Sequence, residues 1–423
     1  MVVTALQIWV FVVLAVMMIY ATRHWIFTWN RLSRRQRPFY QDLIDSDEPP
    51  ISVLVPMHNE GVVARDVLEA LIASDYPKDR LEIVPIDDRS TDETTAILVE
   101  YAQRYDFIRP IYLRSGTRGK PSALNAALEA ARHEVVLVFD ADYTPGKDLL
   151  RELAMAFVDP EVGAVMGRVV PRNTADNTLT RLLSLERSGG YQVDQQARYN
   201  LDLVPQFGGT VGGFRRSVVR ELHGFDPLTL AEDTDLTARL FLNGWRVVYA
   251  NRAECYEEVP DTWESRFRQL RRWARGHTRA FTRYGFRMLA AHKLPFWQRI
   301  DGWLLLFVYF VPVILLSGIV ASALLFYMGR WPIVPGILFV FFVVAFNAYG
   351  NFGPVYEVAA AELLDGSHER LYLLPVLFYL FVYNMYAVFS GVLDAIGDAV
   401  KNRRATWDKT QRNGSAVKQR ASA

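Results

Sequence analysis

A single cysteine, Cys255, stands in 423 residues, so no internal disulfide and no cysteine-rich metal site can form. Charge of one sign is missing too. Lys and Arg total 47 against 46 Asp and Glu, a net charge of +1, and nothing global points to nucleic acid as a partner. There is no internal repeat and no long low-complexity segment. No basic stretch precedes the first apolar run and no small-residue cleavage site follows it, which argues against a signal peptide. The apolar runs lack acidic or basic residues at mid-span, where transport sites usually keep them. A transporter, or a scaffold that only binds nucleotide, therefore lacks its usual signature.

What is present is unevenly placed. The run 6–19, extended by Trp25, Phe27 and Trp29, is long enough with its flank to span a bilayer, which takes about 20 residues. Arg23, Arg31, Arg34, Arg35 and Arg37 follow it and predict an outer N-terminus and a cytoplasmic remainder. Three further apolar runs cover 303–328, 333–349 and 371–396, and a basic tail closes the chain. The expected organisation is a transmembrane helix over 1–30, a cytoplasmic domain over 49–260, amphipathic interfacial helices over 261–299, a transmembrane region over 300–399 and a tail over 400–423. Three full crossings after a cytoplasmic domain would export that tail. Either one run is re-entrant or interfacial, or the tail lies outside.

Between the apolar ends the pattern is that of a soluble α/β domain. Strands are predicted at 51–55, 81–86, 108–113 and 135–139, with helical spacing at 63–73, 93–105 and 122–131. This alternation predicts a mainly parallel sheet with helices on both faces, and ligands outside the carboxyl ends of the strands. Polar clusters fall there: His58-Asn59-Glu60, Asp87-Asp88 and Asp140-Ala141-Asp142.

Taken singly, these clusters are weak signals. Asp140 and Asp142 can hold a hard divalent cation that completes its shell with phosphate and water, although such a tripeptide is usually a solvated loop. Asp87 and Asp88 can accept hydrogen bonds from a base or a ribose, or simply favour the next helix N-terminus. Lys120, after Arg118 and Gly119 and before a helix, suits a phosphate or a plain loop. Glu232 and Asp233 sit before a helical run over 236–242, where a carboxylate can take a proton from an acceptor hydroxyl or simply serve as a charge pair at the helix N-terminus. Gln269, Arg272 and Trp273 stand at i, i+3 and i+4 and share one helix face. Arginine there can neutralise a leaving diphosphate, and indole can pack on a sugar ring. The surrounding arginines, from Arg266 to Arg287, read equally as a basic interfacial helix against lipid headgroups.

In combination the order is distinctive. Asp-Asp, Asp-x-Asp, Glu-Asp and Gln-x-x-Arg-Trp resemble family 2 glycosyltransferases of GT-A fold, above all the processive membrane-integrated branch of poly-N-acetylglucosamine, cellulose, hyaluronan and chitin synthases. Ala405, Thr406 and Trp407 resemble the tail of the bacterial poly-N-acetylglucosamine type. The resemblance implies an α/β GT-A cytoplasmic domain with transmembrane and interfacial helices in the cell membrane. It implies an inverting transfer from a nucleotide-sugar, with UDP the expected nucleotide, and magnesium or manganese as cofactor. Asp87 and Asp88 would contact the nucleoside. Lys120, Asp140 and Arg272 would meet the diphosphate, and Asp140 and Asp142 would hold the metal. Asp233 would be the general base. Gln269, Trp273, Glu232, Gly208 and Gly209 would border the acceptor. The apolar runs favour a growing β-linked polysaccharide with export, helped by accessory subunits or a homo-oligomer; transfer to a lipid acceptor is the alternative. Two departures are Arg89, where the family often has glycine after the Asp pair, and Ala231 in place of threonine before Glu232. Without a long C-terminal regulatory domain, control by a nucleotide messenger is not expected.

Overall fold

The computed structural model describes residues 1–33, 36–43, 47–330 and 355–401. The expected run at 333–349, the tail from 402, the 405–407 motif, Arg34 and Arg35 lie outside the described residues.

The domain is built on one eight-stranded sheet. Its strands are Ile51–Met57 (β1), Leu81–Asp88 (β2), Ile111–Leu113 (β3), Val135–Val138 (β4), Thr144–Pro145 (β5), Val162–Pro171 (β6), Gly212–Arg215 (β7) and Arg246–Glu257 (β8), in the order β3-β2-β1-β4-β7-β6-β8-β5. The first four pair in parallel, as do β6 and β8. The short β7 runs antiparallel between β4 and β6, and β5 runs antiparallel to β8. The sheet is thus mixed but mostly parallel, and the second half of the domain joins it rather than forming a sheet of its own.

Strand β1 shows why helices must cover both faces. Val53 and Val55 pack with Val67, Leu68 and Leu71 of the helix Gly61–Ile72, while Leu54 packs on the other side with Leu124, Ala127 and Leu128 of the helix Lys120–Ala130. Successive side chains point to opposite faces, so a continuous apolar run is stable only when buried on both. Asp92 ties two helix starts together, accepting hydrogen bonds from the N–H groups of Gly61 at 2.9 Å and Thr94 at 3.0 Å.

Among the described residues, three helical segments are long and apolar enough to cross a membrane: Val2–Ser33, Phe296–Tyr327 and His368–Val400. The first runs antiparallel to the second. Val13 lies against Gly318, and the Trp9 indole donates to Ser317 Oγ at 3.1 Å. The inner end of the first helix is different in kind, because Arg23, His24, Thr28 and Asn30 are buried there. Arg23 donates to Asp194 at 2.9 Å, and Arg198 joins Asp194 at 2.6 Å to Asp301 at 2.5 Å. His24, Asp194 and Glu357 bring metal-capable atoms within 4.8 Å of one another. Both Asp194 oxygens are already engaged by guanidinium groups, so this cluster is a charge-compensated joint between the apolar helices and the domain. Removing one partner of such a buried set typically costs about 3–5 kcal/mol, because it strands the other charge.

The helix Trp263–Ala290 lies on the domain along its length. Arg266 pairs with Glu186 at 2.6 Å, Gly276 packs on Ala231, and the Tyr284 hydroxyl donates to Asp235 at 2.6 Å. The last described helix, Leu377–Val400, runs beside it in the same direction. Arg266 meets Asn384 at 3.4 Å, Arg271 meets Asp394 at 2.5 Å, and Arg275 and Arg279 reach Asp398 at 2.5 and 2.8 Å. Gly391 makes this approach possible, because a Cβ there would collide with the Arg271 carbonyl and stand 2.8 Å from the Ala274 Cβ. Several arginines expected to face lipid headgroups therefore face carboxylates of the last helix. The first of these two helices is held to the domain by Glu186, Ala231 and Asp235, and the second runs alongside it. A tag appended to the C-terminus should accordingly be cut by protease from the side that cuts the sheet domain. Protection of the tag from that side would show that the last helix crosses the bilayer.

Candidate active site

Parallel strands bring their carboxyl ends to one edge, and the expected polar clusters meet there. Met57, Asp88 and Val138 end β1, β2 and β4. Because β7 runs the other way, its start lies beside the end of β4, with Val138 opposite Gly212. The loop before β7 thereby reaches Asp140, whose N–H donates to Thr210 Oγ1 at 3.0 Å. Asp88, Lys120, Asp140, Asp142, Gly208, Glu232, Asp233, Gln269, Arg272 and Trp273 all line one cleft of about 930 Å³.

Its floor is acidic. Glu232 and Asp233 begin the helix Glu232–Leu242, where backbone N–H groups favour carboxylates. Asp233 accepts from the Thr234 N–H at 2.7 Å. Gly209 supports the pair from behind with φ +73°; a Cβ there would stand 3.1 Å from the Asp233 Cβ. The Lys120 ammonium lies 2.7 Å from Asp140 and 3.4 Å from Glu232. Burial opposes its charge, but Asp140, Glu232 and Asp233 hold its pKa above the ordinary lysine value. Burial likewise raises the pKa values of Glu232 and Asp233, against the opposing pull of Lys120 and, for Asp233, the Thr234 N–H.

The donor set suits a hard divalent ion. Asp140 and Asp142 offer carboxylate oxygens within one cleft, and a side-chain cation already sits on Asp140.

The helix Trp263–Ala290 forms the roof. Gln269, Arg272 and Trp273 face the cleft as their spacing predicts. Gln269 Oε1 accepts from Arg266, which also binds Glu186 through two contacts of 2.6 and 2.7 Å. The Trp273 ring lies 5.3 Å from the Arg187 guanidinium, a cation–π contact.

Asp87 departs from expectation. It is absent from the cleft lining and turns to its own chain, accepting from the Ser90 N–H at 2.9 Å and from the Thr95 hydroxyl. Asp88 does line the cleft, but Arg89 and the Gly119 N–H already hold its two oxygens. Several functional candidates escaped the sequence reading. His277 lies in the cleft, one turn beyond Trp273 on the same face, a signal that the spacing carried. Its ring reaches Thr234 Oγ1 at 3.2 Å and stacks on Tyr309 at 4.4 Å. Burial pushes its imidazole down to about 4, so it is neutral at pH 7. Tyr191, Asp194 and Gln195 enter from a π-helical segment, Gly189–Gln195, which no periodicity announced.

The profile described as "Glycosyltransferase like family 2" matches residues 49–276, more than half of the chain. A probable glycosyltransferase of Bacillus subtilis, YdaM, is 38% identical over 54% of this chain and 55% of its own. The beta-monoglucosyldiacylglycerol synthase of Synechocystis is 28% identical over 74% and 64%, and glucomannan 4-beta-mannosyltransferase 2 of Arabidopsis thaliana is 29% identical over 64% and 53%. The chain thus spans between half and two-thirds of the length of these relatives. Among solved structures, the mannosyltransferase PcManGT from Pyrobaculum calidifontis, in complex with GDP-Man and Mn2+, shares the fold with a TM-score of 0.61 and 20% identity, over 94% of this chain and 99% of its own. With its sequence motifs gathered in one cleft on a GT-A fold, the chain belongs to glycosyltransferase family 2.

Proposed function

We propose that this chain is an inverting, metal-dependent hexosyltransferase that moves a sugar from a nucleoside diphosphate donor, UDP in the first instance, onto a lipid-borne hydroxyl at the bilayer surface. One observation carries the choice of acceptor. The cleft runs from the acidic floor to Leu270, His277, Leu305 and Tyr309, and the last two belong to the segment that continues into the apolar helices. An acceptor head entering from that side can keep its tail in lipid. The diacylglycerol-glucosylating relatives agree with this reading.

In the proposed displacement Asp233 takes the proton of the acceptor hydroxyl as its oxygen attacks the anomeric carbon. The bond from that carbon to the diphosphate breaks, and the configuration inverts once. Asp140 and Asp142 would hold the divalent ion, which when bound offsets charge on the diphosphate. Lys120 and Arg272 add positive charge on the leaving-group side. Gln269, fixed by Arg266, and Trp273, fixed by Arg187, shape the acceptor end. Thr234 orients Asp233, and His277 and Gln206 in turn hold the Thr234 hydroxyl at 3.2 and 3.0 Å.

Export of a polysaccharide is the second reading, favoured by the glucomannan relative.

Asp233→Asn should bind donor within a few-fold of the wild type yet turn over at least about a hundredfold more slowly, the usual contribution of a general base. Isothermal titration beside a turnover assay checks this, and near-normal turnover would remove Asp233 from the role. With labelled UDP- and GDP-sugars, magnesium or manganese, and nanodiscs containing diacylglycerol, the label should enter a small chloroform-soluble product. Label in a large, glycosidase-sensitive, water-phase product would establish the polymer reading instead.

A further inference from the structure

The donor end of the cleft is braced by a residue to which the mechanism above gives no role. Arg89 follows β2 in left-handed backbone, with φ +60°. Side chains other than glycine adopt that conformation at a cost, and it persists where surrounding contacts over-determine it. Here the contacts are a forked guanidinium. Nε and Nη2 lie 2.9 and 2.5 Å from Asp88 Oδ1, and Nη1 donates to the Gly116 carbonyl at 2.8 Å. The second Asp88 oxygen accepts from the Gly119 N–H at 2.9 Å.

Residues 116–119 are therefore pinned to the end of β2 at both ends. Gly116 and Gly119 have φ +91° and +115°, values that glycine alone adopts readily, and the loop belongs to no strand or helix that could stiffen it. Lys120 comes directly after it, with its ammonium on Asp140 and Glu232.

We propose that Arg89 is a positioning residue of the donor site: by clamping Asp88 to the Gly116 carbonyl it holds the loop that leads into Lys120 on the diphosphate side, and it fixes the orientation and charge of the Asp88 carboxylate that faces the nucleoside. The proposal rests on the donor being a nucleoside diphosphate sugar. It explains why a strained arginine stands where glycine would relieve the backbone. It also makes the planar fork essential, since lysine cannot reach both Asp88 and the Gly116 carbonyl in that geometry.

The test uses the full chain in nanodiscs with UDP, GDP and the corresponding sugars, comparing wild type, Arg89→Gly and Arg89→Lys. Both variants should bind nucleoside diphosphate roughly tenfold more weakly, as expected for a lost charge-assisted contact, with a matching rise in donor KM and little change in kcat. Arg89→Gly, which removes the backbone cost, should unfold at an unchanged or higher temperature. Wild-type donor KM in both variants overturns the proposal, as does a lower unfolding temperature with donor KM unchanged. Failure of the wild type to bind any nucleoside diphosphate would overturn the donor assignment itself, a result distinct from equal binding by all three proteins.

Discussion

Four carboxylates, Asp140, Asp142, Glu232 and Asp233, face one recessed cleft, and the Lys120 ammonium bridges two of them. Like charges held this close in low dielectric are costly unless a cation shares the space. The sheet imposes the crowding. Asp140 follows β4, and the antiparallel β7 brings its own loop, with Gly209 behind Asp233, to the same edge. Lys120 offsets the charge in this state. On the proposed function, a nucleoside diphosphate arriving with a divalent ion would add charges of both signs and could draw Lys120 from Asp140 toward phosphate. On this account, donor and metal together complete a site whose charge is only provisionally balanced.

The roof of the site is tied to the rest of the chain by ion pairs of long range. Arg266 links Gln269 to Glu186 and Asn384, while Asp394 and Asp398 hold the next turns of the same helix. On the other flank, Arg23 and Arg198 join the first helix and Asp301 to Asp194, which itself lines the cleft. Apolar helices and reacting groups thus share buried charges. A displacement of either bundle would reach the acceptor end through Trp273 and Tyr309, the latter stacked on His277.

The sequence and the structure agree where local pattern decides. Strand ends, the Asp-x-Asp turn and the shared face of Gln269, Arg272 and Trp273 follow from periods of two and of 3.6, and these residues meet in the cleft. They part company where a distant partner decides. Asp87 and Asp88 read alike in sequence, yet one caps its own chain and the other is clamped by Arg89. The segment His368–Val400 is apolar enough to cross a membrane, yet its carboxylates, paired with arginines more than a hundred residues away, and the close approach at Gly391 place its helix beside Trp263–Ala290. Buried Arg23 and Asn30 at the inner end of the first helix, and the π-helical turn carrying Asp194, had no local signature either.

The account turns on the acidic floor accepting metal and donor as one unit. Electron paramagnetic resonance of Mn2+ titrated into the purified protein, with and without UDP or GDP, tests this directly. The predicted result is weak binding of Mn2+ alone, tight binding when nucleoside diphosphate is present, and loss of the tight component in Asp142→Asn. Nucleoside diphosphate binding that is indifferent to Mn2+, or a tight component that survives in Asp142→Asn, would contradict it.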